Sequence, residues 1–154
     1  MPRSVTGEWA GVYSYDPPVV RPPVSFRMHL RQSWLGRFSG SVVDGEGGMP
    51  GEGSVTGRLR RNELSFKKQM PVFFVFDGGQ TVPLSEYAAG KGWTVDPDTP
   101  HLPIKYEGTI SADERAIEGR WVAEAGALRL VGELRAVYFP SFAGTWKAER
   151  ISSL

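Results

Sequence analysis

The sequence predicts an all-β fold, a small antiparallel up-and-down β-barrel of about eight strands with a long irregular insertion over 70–103. Three observations carry this. Apolar and polar residues alternate with period two along segment after segment, the mark of strands with one buried face. Glycine and proline, 19 and 12 in 154 residues, punctuate the chain too densely for long helices. Most segments are joined by short turns, and a meander of that length leaves two raw edges unless it closes. A two-sheet sandwich is the competing solution. The length suits one domain over 1–154.

Thr6 to Tyr15 reads as the first strand, ended by Asp16-Pro17-Pro18; residues 16–23 hold four prolines and form a connection. Val24 to Arg31 alternates cleanly, with Val24, Phe26, Met28 and Leu30 on the apolar side. Leu35 to Val43 follows, then a glycine-rich turn over Asp44 to Glu52. Ser54 to Arg60 and Glu63 to Lys68 flank Arg61-Asn62, a tight hairpin turn without the usual glycine. Met70 to Pro103 breaks the rhythm. Val72 to Phe76 is apolar on both parities and needs cover on both faces, and Leu84 to Ala89 suits about one helical turn. Asp96 to Pro103 is irregular, and a connection this long is often a lid or binding loop. Alternation resumes over Ile104 to Ser111, Ile117 to Glu124, Leu128 to Val137 and Gly144 to Ile151.

The apolar parity, taken as inward, carries Trp9, Tyr13, Phe38, Phe66, Tyr106, Trp121 and Trp146, and glycines such as Gly11, Gly40, Gly57, Gly108, Gly119 and Gly144. Inward glycines either seat large rings in a filled barrel or open a cavity. The inward parity of this reading holds almost no ionisable residue besides Arg150. That is poor ground for acid/base hydrolysis and good ground for a flat apolar ligand. Arg27, Arg31, Arg37, Arg58, Arg60, Arg61, Lys67 and Lys68 are read as mostly outward, interspersed with acids in a solubilising surface.

Composition removes several function classes. The net charge is +1 and no basic stripe appears, so no nucleic-acid partner is expected. Two histidines and no cysteine leave no standard structural zinc site and no thiol chemistry, and no cofactor or metal is implied. Asp44, Glu46 and Glu52 surround a glycine-rich turn without the spacing of a known calcium loop. No run approaches the roughly 18 apolar residues of a membrane helix, and the first residues lack the apolar core of a secretory signal. A cytoplasmic protein without a membrane partner is the expectation. Were Val12, Val43, Val122 and Val131 neighbours, they would form an outward apolar patch suited to a homo-oligomer.

Three Gly-x-Trp units occur: Gly7-Glu8-Trp9, Gly119-Arg120-Trp121 and Gly144-Thr145-Trp146. The first opens the first strand, and Arg150 lies near the end of the last. The pair resembles the calycin pattern of lipocalins, fatty-acid-binding proteins and avidins. The resemblance implies that Trp9 packs beneath Arg150 to close one barrel end, a structural role. Tyr106-Glu107-Gly108 and Ile117 to Trp121 look most like avidin-type or small lipocalin-like barrels. Tyr13-Ser14-Tyr15-Asp16-Pro17-Pro18 does not reproduce the polar set that avidins present to biotin. The second lipocalin signature is missing, and His29, read as outward, and His101, in the long loop, do not suit haem.

The reading that follows is non-catalytic binding of a small, largely apolar ligand at the open barrel end. Tyr13, Phe38, Tyr106 and Trp121 would line the pocket, and 70–103 would be its lid. Two alternatives stay open. One is a barrel isomerase or cyclase needing little acid/base chemistry, using the tyrosines or a loop group of Asp96, Asp98, His101 and Tyr87. The other is a filled-barrel interaction module that docks through Val72 to Phe76.

Overall fold

A computed structural model describes residues 3–77, 80–129 and 136–152. Among these residues twelve strands and one short α-helix follow in chain order, with a single 3-10 turn at Trp34–Gly36: β1 (Gly7–Tyr15), β2 (Val24–Gln32), β3 (Arg37–Asp44), β4 (Glu52–Arg60), β5 (Glu63–Gln69), β6 (Phe74–Asp77), β7 (Gln80–Pro83), α1 (Leu84–Gly90), β8 (Ile104–Ile110), β9 (Ala116–Ala123), β10 (Gly126–Arg129), β11 (Ala136–Phe139) and β12 (Phe142–Ser152). Eight of them close an antiparallel barrel in the order β1-β12-β9-β8-β5-β4-β3-β2. Every barrel strand pairs with the barrel strands before and after it in the chain, and β12 returns to β1 with Tyr13 opposite Trp146. Closure leaves the sheet no free edge.

Period two builds the wall. In β2, Val24, Phe26, Met28 and Leu30 are buried while Ser25, Arg27, His29 and Arg31 are exposed. The repeated Gly-x-Trp units have a reciprocal use. On paired β9 and β12, Trp121 sits opposite Gly144, and Trp146 sits opposite Gly119. Each indole crosses the neighbouring strand to reach the next: Trp121 Nε1 donates to Ser14 O on β1, and Trp146 Nε1 donates to Glu107 O on β8, both at 3.0 Å. A Cβ on Gly144 would lie 2.7 Å from the Trp121 nitrogen, so only glycine permits that crossing.

The two barrel ends differ. At one end the connections are tight, including Arg61-Asn62 and the Ser111–Arg115 turn. Residues 3–6 fold across it, and Val5 is fully buried there. All the long connections leave from the other end, including the β5–β8 excursion with hairpin β6–β7 and α1, and the β9–β12 excursion with hairpin β10–β11. The expected strand over Leu128 to Val137 is therefore corrected. Residues from that stretch belong to a separate two-stranded hairpin, and β12 completes the barrel. Leu130 and Leu134 of that stretch lie outside the described residues.

The outward valines do not pair with one another. Val12 faces Lys147 and Ser25, Val43 faces Arg27 and Glu52, and Val122 faces Lys105 and Ala143. Val131 lies outside the described residues. No helix among the described residues is long and apolar enough to cross a membrane.

Candidate functional site

The tight end is filled. The Arg150 guanidinium lies 4.6 Å over the Trp9 ring and donates to the carbonyls of Glu114, Thr6 and Ser4. Trp9 Nε1 donates to Val5 O at 2.8 Å, so ring and cation together hold the closing segment. Above them Phe38, Phe66, Tyr106 and Trp146 pack edge-to-face or stacked, with Phe66 on Tyr106 at 4.7 Å between centroids. Phe38 stays in this filled layer, 6.1 Å from Phe66, and is not among the residues lining the cavity. Its space comes from Gly57, where a Cβ would meet both Phe66 and Phe38.

Space is left at the mouth of the other end. A cavity of about 310 Å³ lies under the long connections. Tyr13, Tyr15, Tyr106, Trp121 and Ile104 from the barrel line it, and Phe73, Phe74, Val75, Thr81, Tyr87 and His101 cover it from the 70–103 segment. Tyr13, Tyr106 and Trp121 thus line the cavity together, with Tyr106 shared with the filled layer, while Phe38 does not reach it. Tyr15 meets Trp121 edge-on at 5.1 Å, extending the aromatic wall upward.

At this cavity stands a buried ion pair that alternation left out. Lys68 Nζ lies 2.5 Å from Asp44 Oδ1, with side-chain exposures of 2% and 0%. Lys68 therefore points inward, against the outward reading, and the interior is not free of charge. The signal was present in the sequence. Lys68 continues the parity of Leu64 and Phe66, and Asp44 continues that of Phe38, Gly40 and Val42. Asp44 is the last residue of β3 and Lys68 the last but one of β5, where alternation gives way to a connection. Asp44 is satisfied three times: its second oxygen also accepts from Tyr13 Oη and from Met49 N, each at 3.1 Å. Lys68 in addition lies 4.9 Å from the Tyr13 ring centre.

Burial governs the titration of this group. It pushes the Tyr13 hydroxyl far above the usual tyrosine range, helped by the Asp44 charge, and does the same for Tyr106. It pulls the Lys68 ammonium down, against the opposing attraction of Asp44. His101 is also held below the usual histidine value by burial, partly offset by its bond to Leu102 O. That bond, 2.8 Å from Nδ1, places a proton on Nδ1, since a carbonyl only accepts.

The loop group of Asp96, Asp98, His101 and Tyr87 divides. Asp96 and Asp98 are exposed, and Asp96 Oδ1 caps its own turn by accepting from Asp98 N at 2.9 Å. His101 packs on Phe73 at 4.7 Å, and Tyr87 packs against Trp93. Asp44 is likewise drawn inward to Lys68, away from exposed Glu46 and Glu52. Compared with protein-family models, curated proteins and solved structures, the chain matches none.

Proposed function

We propose that the protein binds a small, largely apolar molecule without transforming it, in the cavity at the open end of a calycin-type barrel. One observation carries this reading: a barrel filled at one end encloses an aromatic-walled cavity of about 310 Å³ at the other, beneath a lid of apolar side chains. Trp9 beneath Arg150, joining the first and last strands, supports the calycin-type assignment. The lid also gives Val72 to Phe76 a use within the chain, since Phe73 is buried and Phe74 and Val75 face the cavity.

The test is a fluorescence titration with the neutral apolar probe N-phenyl-1-naphthylamine. Saturable, blue-shifted emission at one probe per chain is expected. Ala123→Trp, which places an indole at the cavity wall, should abolish it while the far-ultraviolet circular dichroism is retained. Absence of saturable emission from the native chain would overturn the reading, as would undiminished binding by a folded Ala123→Trp chain.

A further inference from the structure

The polar end of the cavity is unevenly served. Asp44 accepts three hydrogen bonds, from Lys68, Tyr13 and the backbone of Met49. Lys68, an ammonium with three donors, makes one hydrogen bond among the described residues, to Asp44. It is 2% exposed, yet it lines the cavity. A second unmet polar atom lies on the lid side of the same cavity: Thr81 Oγ1 is buried with no hydrogen-bond partner among the described residues. A buried donor left unmet costs free energy, and the cost is larger for a charged group. What this site lacks is an acceptor.

The charges decide which kind. Lys68 and Asp44 already cancel. A carboxylate brought to Lys68 would stand beside the Asp44 carboxylate in a poorly solvated site, where like charges repel strongly. A neutral oxygen acceptor meets the ammonium without that penalty. Resting on the binding function proposed above, we infer that the ligand is an uncharged, flat apolar molecule carrying a carbonyl-type oxygen, with that oxygen seated on Lys68. Water can serve the same donors in the free protein. A ligand without an acceptor displaces that water and strands them, so hydrocarbons bind more weakly than their ketones.

Three compounds on one rigid frame test this by displacement of the naphthylamine probe: fluorene, 9-fluorenone and fluorene-9-carboxylate. Fluorenone is expected to bind at least about tenfold more tightly than fluorene, and more tightly than the carboxylate. In a Lys68→Met, Asp44→Asn double variant the preference for the ketone over the hydrocarbon should collapse. The infrared carbonyl stretch of fluorenone on the native chain gives a readout that needs no variant, and it should move below its frequency in hexane. Equal binding of fluorene and fluorenone would overturn the inference while leaving the binding function intact. So would the carboxylate binding most tightly, or an unshifted carbonyl stretch. Failure of the probe itself to bind would instead remove the cavity reading beneath it.

Discussion

Lys68 and Asp44 form an ion pair with side chains almost wholly buried, and Lys68 lines the cavity. Asp44 leads into a glycine-rich turn and Lys68 stands between Lys67 and Gln69, so their chemical type suggests surface while their parity says interior. Parity prevails because the strand wall fixes side-chain direction, and each residue supplies the counter-charge the other needs. Removing one partner strands the other. Lys68→Met should lower unfolding stability by about 3–5 kcal/mol in urea denaturation. Adding Asp44→Asn should restore most of that loss, because the buried charge goes with its partner. The tyrosines yield a pH prediction of definite sign. Tyr13 and Tyr106 keep their protons in the folded chain well above the ordinary value of 10.0. The stability they contribute is therefore fully present below that value and lost as pH rises past it, when the unfolded chain ionises first. Lys68, whose lowered value carries the opposite sign, partly masks this. The urea midpoint should fall less steeply between about pH 9 and 11 in a Tyr13→Phe, Tyr106→Phe chain than in the native one.

Elements were legible in proportion to how regularly they alternate. The clean period of Val24 to Leu30 leaves no second reading, and β2 occupies that stretch. The Leu128 to Val137 stretch misleads because alternation states which residues share a face and is silent on which sheet they join. Here β9 pairs directly with β12, and the segment between them is a side hairpin. The same limit applies to Phe38, whose inward direction was readable but whose height in the barrel was not; register with Gly57 sets it in the filled layer. The hairpin turn at Arg61-Asn62 shows a local cost. Arg61 adopts a positive φ of 58°, at the turn position where a two-residue hairpin favours glycine. Its side chain is exposed, so nothing is lost by removing it. Arg61→Gly should raise stability by about 1 kcal/mol, read from the urea midpoint at unchanged slope.

At the scale of the molecule, the packed end and the cavity lie opposite each other. The filled end holds Trp9, Val5 and Arg150, and the cavity lies beyond the Phe66–Tyr106 layer. The division predicts that stability and affinity separate. Arg150→Ala removes bonds to the Ser4, Thr6 and Glu114 carbonyls and should cost on the order of 3 kcal/mol in denaturation. Its probe affinity in the folded state should stay within about twofold, a free-energy change of less than half a kcal/mol. The pairing of β1 with β12 also sets an order of events in time. Glu8 meets Ser152, so the seam joins residues that are far apart in sequence, whereas the neighbouring hairpins join residues close together. Loop closure of that span is slow compared with hairpin formation. During synthesis at the ribosome, β1 to β5 can pair as an open curved sheet, but the inner wall stays exposed to water until β12 has emerged. The seam is thus expected to close last in folding, and the interval before it is when an emerging chain most needs protection from its neighbours.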